Sequence, residues 1–372
     1  MSERTVGVGM IGYAFMGRVH SQAWRTVSAF FDLPLTPSMR VICGRSKEAA
    51  GAAAERMGWA EAVTDWRAVI ERDDVGIVDI CTPGDSHAEI AIAALAAGKH
   101  VICEKPLANT VQEAALMAAA AAESAGRSMV AFNYRRVPAV ALARRLVAEG
   151  RLGEIRHVRA QYLQDWVVDP DFPLVWRLRK DKAGSGALGD IGAHIIDTAE
   201  FVTGRRVVGV TGLTETFVKE RPIEGAGRTG EKGTVTVDDA AVFVGRMSGG
   251  ALASFEATRF ATGRKNALRI EVNGALGSLY FDFEAMNELW VSEGGAGFTR
   301  ILVTEPDHPY AGAWWPPGHG LGYEHTFTHE IKDFLEAIAA GTDPSPSFAD
   351  GLRVQRVLEA VEQSNGTYKE IP

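Results

Sequence analysis

An α/β half followed by an α+β half is what this sequence of 372 residues predicts, and three observations lead to it. Short apolar runs alternate with helix-periodic stretches up to about residue 135. A glycine-bounded turn, Gly12-Tyr13-Ala14-Phe15-Met16-Gly17, joins the first of those runs to the first helical stretch. From Ile155 onward the apolar residues recur with a period of two, separated by Gly-rich turns. The boundaries that follow are 1–135 for a nucleotide-binding domain and 136–372 for a second domain, with a C-terminal helix packing back on the first.

Thr5–Ile11 reads as a buried strand, and helical spacing runs from Phe15 through Phe30. The pattern G-x-G-x-x-G is matched by Gly7, Gly9 and Gly12, but the first two lie inside the strand. A phosphate-binding turn must fall between strand and helix, so the operative motif is G-x-A-x-x-G from Gly12 to Gly17. Gly12 allows the tight turn, Gly17 allows close helix–strand packing, and Ala14, Phe15 and Met16 would approach the pyrophosphate. The second strand, Arg40–Cys43, ends at Gly44-Arg45-Ser46, where an NAD-binding chain usually carries an acid for the ribose. Loss of that acid, with Arg45 beside it, leaves NADP open as well as NAD.

Helices at Lys47–Met57, Asp65–Glu71, Ala88–Ala97 and Thr110–Ala125 alternate with strands at Ala62-Val63, Gly76–Cys81, His100–Cys103 and Met129–Phe132. This is a doubly wound parallel sheet of the Rossmann type. Its strand ends align, so Gly12, Gly44, Thr82-Pro83, Glu104-Lys105 and Asn133-Tyr134 border one crevice. Lys105 has a bland reading as a solvated loop charge, but its position at a strand's carboxyl end makes it a site candidate.

The second half reads as a large, mainly antiparallel open sheet with helices on one face. Its strands are Ile155–Gln164, Val207–Val218, Val235–Met247, Ala251–Ala261, Leu268–Val272, Ser278–Phe283, Glu288–Val291 and Thr299–Val303. Hairpins turn at Ser248-Gly249-Gly250 and Asn273-Gly274-Ala275. Two helices, Tyr323–Ala340 and Asp350–Glu362, flank a Pro-rich connector. Among the strands, Gly184–Asp197 opens a helix near Asp190, which sets Asp190 and His194 four residues apart on one face. That pair is open to three readings: a capping acid with a core histidine, a metal site completed by Asp197, or acid–base chemistry.

A net charge of −8 with no basic stripe argues against nucleic acid. No window approaches the run of about 20 apolar residues that spans a bilayer, and the N-terminus shows no secretory pattern. The three cysteines, Cys43, Cys81 and Cys103, stand at strand ends without metal-ligand spacing. A reduced, cytoplasmic protein with cysteines in packing roles is the simplest reading. His319, His325 and His329 read as loop and helix histidines with no defined partner.

Ile11–Gly17, Thr82-Pro83, His87, Glu104-Lys105-Pro106-Leu107 and Gly189-Asp190-Ile191-Gly192-Ala193-His194 together resemble the Gfo/Idh/MocA oxidoreductases, across nearly the whole chain. The segments Phe132–Arg136, Tyr162–Trp166 and Pro344–Gly351 narrow the resemblance to sugar dehydrogenases within that family. The sequence departs from the family's pattern at Ala14, Gly44 and Gly84. The resemblance implies a catalytic trio of Lys105, Asp190 and His194, with hydride passing between a sugar carbon, expected to be C3, and nicotinamide. It implies cofactor contacts from Ser46, Thr82, Pro83, His87, Glu104, Lys105, Asn133, Trp176 and Arg177 as well as from the phosphate turn and Arg45. Sugar contacts would come from Asn133, Tyr134, Arg135, Gln164, Trp166 and Tyr323, each of which also has an ordinary packing reading.

The expected partner is a small carbohydrate, with a dimer or tetramer formed through the open sheet. An NAD-dependent glycosidase that recycles its bound nucleotide would use the same trio. A cofactor-sensing scaffold on the same fold would lack the trio altogether.

Overall fold

The computed structural model describes residues 4–223 and 230–372. Two compact units emerge, one of Met1–Arg136 with Gly322–Leu352 and one of Val137–Leu321 with Arg353–Pro372.

The first unit is built on β1 (Thr5–Ile11), β2 (Thr36–Cys43), β3 (Glu61–Val63), β4 (Ile77–Ile80), β5 (His100–Cys103) and β6 (Ser128–Val130). All pair in parallel, in the order β3-β2-β1-β4-β5-β6. The intervening helices are α1 (Phe15–Phe30), α2 (Lys47–Met57), α3 (Trp66–Ile70), α4 (His87–Ala96) and α5 (Val111–Glu123). Chain order reverses between β1 and β4, which opens the crevice where such sheets hold nucleotides. Gly7 and Gly9 lie within β1, as expected of strand glycines. A Cβ on Gly7 would meet the Asp74 carbonyl oxygen at 1.7 Å, and one on Gly9 the Val69 side chain at 2.3 Å.

Late in the sequence, α9 (Tyr323–Ala340) joins this unit. In its definition α6 (Pro138–Ala148), α7 (Lys180–Ala183) and α8 (Ala193–Thr203) precede it, and α10 (Phe348–Ser364) follows it. Phe327, Ile331, Phe334 and Leu335 recur at helical spacing on α9 and bury into the core that holds Met10, Trp24, Ile42 and Ile102. That apolar stripe is the reason a distant stretch of chain folds with the first unit.

The second unit is a nine-stranded sheet. Its strands in chain order are β7 (Ile155–Leu163), β8 (Val207–Glu215), then, after the separate ribbon β9 (Glu220–Pro222) and β10 (Lys232–Thr234), β11 (Ala240–Met247), β12 (Leu252–Thr258), β13 (Ala267–Gly274), β14 (Gly277–Asp282), β15 (Glu288–Glu293), β16 (Thr299–Leu302) and β17 (Lys369–Glu370). They lie in the order β16-β15-β14-β13-β7-β12-β11-β8-β17. Every pair is antiparallel except β7 with β12. Both predicted hairpins form, joining β11 to β12 and β13 to β14. Along β11, Ala241, Phe243, Gly245 and Met247 are buried while Val242, Val244 and Arg246 face out.

Two predicted strands are shorter than their apolar runs. Val235–Met247 becomes strand only from Ala240, and Val207–Val218 stops at Glu215. The cause is a pair of adjacent carboxylates. Asp239 accepts the backbone N–H groups of Phe217 and Val218 at 2.8 and 3.1 Å. Asp238 accepts those of Gly186 and Leu188, both at 2.7 Å. Backbone that bonds to these side chains cannot also continue a ladder.

Candidate active site

In the first unit the phosphate turn has the geometry its residues demand. Gly12 has φ +105°, and a Cβ there would lie 2.7 Å from the Cys81 carbonyl oxygen. A Cβ on Gly17 would stand 2.2 Å from the Gly12 carbonyl oxygen, so the first turn of α1 packs directly on the strand end. Ala14 precedes α1 without a side-chain cap, and no acid occupies the first turn. The leading N–H groups of the helix therefore remain available to an anion. These residues fit a dinucleotide pyrophosphate.

Gly44 has a direct structural cause. A Cβ at that position would lie 1.7 Å from Cε1 of Tyr13, so the ring of Tyr13 occupies the space an acidic side chain would need. Arg45 beside it is exposed, and Ser46 accepts the Ala49 N–H to cap α2. The departure at Gly84 is explained in the same way, because a Cβ there would meet the Asn109 amide oxygen at 2.3 Å.

Thr82, His87 and the Glu104-Lys105-Pro106 turn form one assembly. His87 is buried, with Nε2 2.8 Å from the Thr82 carbonyl and Nδ1 3.1 Å from that of Pro106. Lys105 is half-buried, its peptide bond to Pro106 is cis, and its backbone N–H donates to Glu104 Oε2 at 3.1 Å. The other Glu104 oxygen meets His20 Nε2 at 3.0 Å. Pro83 leads into the short turn Gly84–Ser86.

Phe15, Tyr134 and Tyr323 come together. The Phe15 and Tyr323 rings stack at 6.3 Å, and Tyr134 lies 6.4 Å from Tyr323. Burial pushes the Tyr323 phenol well above its ordinary pKa. Asn133 donates to Thr326 Oγ1 at 2.9 Å and Arg135 to Ser345 Oγ at 3.0 Å, so both side chains bond to the segment around α9. Met16 packs at the edge of the same core. Contrary to expectation, His319, His325 and His329 have defined partners, His319 Nδ1 lying 2.8 Å from the Pro316 carbonyl. His325 Nδ1 accepts the Gly322 N–H, and His329 Nδ1 lies 2.9 Å from the Arg136 carbonyl.

In the second unit, Asp190 lies in a π-helical turn, Leu188–Gly192, that leads into α8, where His194 is buried in the first turn. Such turns are uncommon and often accompany functional sites. Glycine at 186 is required because a Cβ would lie 1.7 Å from the Asp238 carbonyl oxygen. A polar row runs alongside. The Trp166 indole donates to Gln164 Oε1 at 3.0 Å, and Gln164 donates to Asn266 Oδ1 at 2.8 Å. The Tyr162 hydroxyl donates to the same Asn266 oxygen at 2.6 Å, and its ring lies 5.9 Å from that of His194. Arg259 closes the other side, 3.8 Å from Asp190 and 5.3 Å from the Trp166 ring centroid. Trp176 and Arg177 pair with each other, the guanidinium 4.4 Å over the indole.

Tyr162, Arg259 and Asn266 are not among the site residues the sequence offers, although Tyr162 opens one of the resembling segments. Tyr162 has a signal, since it shares a strand face with Gln164. Arg259 and Asn266 carry no motif.

Among the described residues, the one cluster of ligand-type side chains is His20, Asp79 and Cys81, so Asp190, His194 and Asp197 do not form such a group. All three cysteines are free and buried. Burial pushes the Cys43 thiol up to about 11 and raises Cys81 and Cys103 further, which suits packing rather than thiolate chemistry. No helix among the described residues is long and apolar enough to cross a membrane.

Residues 6–132 match the model of the oxidoreductase family with an NAD-binding Rossmann fold, and residues 140–280 match that of the GFO/IDH/MocA C-terminal domain. The chain belongs to the Gfo/Idh/MocA family. Levoglucosan dehydrogenase of Pseudarthrobacter phenanthrenivorans is 45% identical, over 97% of this chain and 96% of the relative. A crystal structure of an oxidoreductase domain protein from Kribbella flavida superposes with TM-score 0.96 at 65% identity, covering 99% of this chain and all of that one. A levoglucosan dehydrogenase complex with NADH and levoglucosan gives TM-score 0.96 at 43% identity, covering 99% and 100%. Like others of its family, this chain is an NAD-dependent oxidoreductase. The family model over residues 6–132 is NAD-binding, which favours NAD where Gly44 and Arg45 left the choice open.

Proposed function

We propose that this Gfo/Idh/MocA enzyme oxidises a secondary hydroxyl, at C3, of a pyranose, glycoside or anhydrosugar. The observation that carries the reading is the polar row of the second unit, Trp166–Gln164–Asn266–Tyr162, beside Asp190 and His194. A flat indole with amide and phenol groups around it suits the apolar face and hydroxyl rim of a sugar ring. The sugar class is supported by the names of the relatives, levoglucosan dehydrogenase and, at 26% identity, the inositol 2-dehydrogenase of Rhizobium meliloti.

When bound, NAD supplies the hydride acceptor. Removing hydride from a carbinol leaves a hydroxyl proton to be taken up, and His194 is the acceptor assigned here. The Lys105 ammonium binds the same oxygen and stabilises charge that develops on it. Asp190, held by Arg259, orients the sugar or the imidazole. Gly12 to Gly17, Thr82-Pro83 and Glu104 hold the nucleotide. Tyr134 and Tyr323 contribute apolar edges to the substrate pocket.

The exposed apolar row of Val208, Leu213, Val242, Val244 and Leu252 supports a dimer or tetramer through the second-unit sheet. A monomer in sedimentation at working concentration would remove that part of the proposal. The buried thiols suit a cytoplasmic location.

The test is turnover of levoglucosan and simple pyranosides with NAD, followed by NADH absorbance and by NMR of the product. Stoichiometric NADH with a 3-ketosugar is the expected result. Cleavage of a glycoside without net NADH would overturn it in favour of redox-cycling hydrolysis, and no turnover of any sugar would overturn the substrate class.

A further inference from the structure

We propose that His20 is a positioning residue for Lys105: its imidazole, held between Asp79 and Glu104, fixes the carboxylate that binds the Lys105 backbone. This deepens the proposal above and rests on the role assigned there to Lys105.

The geometry forms a continuous chain. His20 Nδ1 lies 3.0 Å from both oxygens of Asp79, and Nε2 lies 3.0 Å from Glu104 Oε1. Glu104 Oε2 in turn accepts the Lys105 N–H at 3.1 Å. Asp79 is fixed independently, by the Trp24 indole at 2.7 Å and the Cys81 thiol at 3.4 Å. His20 and Asp79 are fully buried, and Glu104 nearly so.

A neutral imidazole has one N–H and one lone pair, so it can donate to only one of two flanking carboxylates. With a carboxylate at each nitrogen, the imidazolium is the form that donates both ways. Burial opposes that charge, yet Asp79 and its neighbour Cys81 outweigh it and raise the His20 pKa well above the ordinary value. Further groups bear on the ring: on α9, Phe327 packs 5.3 Å away and Tyr323 and Glu330 share its electrostatic surroundings, as does Cys103 on β5. Without the imidazolium, Asp79 and Glu104 would be two carboxylates sharing a water-excluded site, and one would have to take up a proton or move.

The position of His20 in the sequence gives the arrangement its sense. It lies on α1, the helix whose first turn is the phosphate-binding turn. One helix therefore fixes both the nucleotide's anchoring amides and, through Glu104, the backbone at Lys105. A small displacement at Lys105 is costly to a reaction that depends on alignment.

The experiment compares His20→Asn, Asp79→Asn and Lys105→Met with the wild type in NAD-dependent sugar oxidation, with NADH affinity from fluorescence titration. His20→Asn is expected to lower kcat on the order of 10- to 100-fold, with sugar KM and NADH Kd changed less than about threefold. In the Lys105→Met background it should add little further loss. Should His20→Asn fail to fold, Asp79→Asn, which removes the other carboxylate on the imidazole, carries the same comparison. A folded His20→Asn protein with lower Tm but unchanged kcat would overturn the proposal, as would losses that multiply independently with Lys105→Met. If Lys105→Met itself keeps full kcat, the role given to Lys105 fails instead, and the two outcomes are told apart.

Discussion

The Arg259 guanidinium lies 3.8 Å from the Asp190 carboxylate and 5.3 Å from the Trp166 ring, and it also donates to the Asp238 carbonyl at 3.1 Å. One buried cation thus links the acid of the proposed trio, an aromatic wall and the loop that breaks a strand. Replacing Arg259 by Met should lower stability by more than about 1 kcal/mol and depress kcat/KM for the sugar. Arg259→Lys keeps the charge without the planar fork and should recover only part of the loss. Denaturant unfolding and steady-state kinetics check both, and a fully active Arg259→Met protein would show that Asp190 needs no such anchor.

His194→Ala should reduce kcat by about 100-fold or more while NADH affinity changes little. Fluorescence titration beside turnover measurement separates the two. Equal losses in both would move His194 from proton transfer to structure.

Introducing the ribose-binding acid by Gly44→Asp should weaken NADH binding rather than strengthen it, because the new side chain meets the Tyr13 ring. Overpacking of this kind costs about 1–3 kcal/mol. Adding Tyr13→Ala should restore the space and part of the affinity, a recovery that binding titrations of the single and double variants would register.

Two neighbours on α9 give the stability a pH signature. Burial pushes Glu330 up to about 8, so folding favours its proton and this group's contribution falls as pH rises from about 4.5 to 8. Burial lowers His329 to about 3, so that residue's contribution rises with pH between about 3 and 6.5. Their slopes cancel between about 4.5 and 6.5. Glu330→Gln should therefore gain stability relative to wild type as pH rises toward 8, and a pH series of urea melts would show whether it does.

Periodicity made much of this fold legible. The helices Phe15–Phe30 and Tyr323–Ala340 follow directly from helical spacing, and the alignment of strand ends follows from the parallel sheet. What escaped depends on contacts between distant residues. Gly44 is visible as a departure in the sequence, but its cause, the Tyr13 ring, appears only in three dimensions. Asp238 and Asp239 sit in an apolar run that reads as strand, yet their carboxylates bind backbone 21 to 52 residues away. The helix Pro138–Ala148 was not anticipated, although Pro138 marks a favoured first position. In the candidate site, the motif residues were legible by resemblance, whereas Arg259 and Asn266 matter only because β7 pairs with β12 on one side and β13 on the other.

The parallel pairing of β7 with β12 also bears on how the chain reaches its native state. Strands β11 to β12, and β13 to β16, join through short turns and can zip up locally. Residues 155–163, by contrast, must insert between β12, whose paired residues lie 95 positions later in the chain, and β13, whose paired residues lie 104 to 119 positions later. Closing so long a loop is slow compared with forming a hairpin. Pulse-labelled hydrogen exchange should thus find the β7 amides among the last of this sheet to become protected. Tyr162, on that strand, and Gln164, just beyond it, would acquire their Asn266 partner late, making the wall proposed to face the sugar a product of the final assembly step.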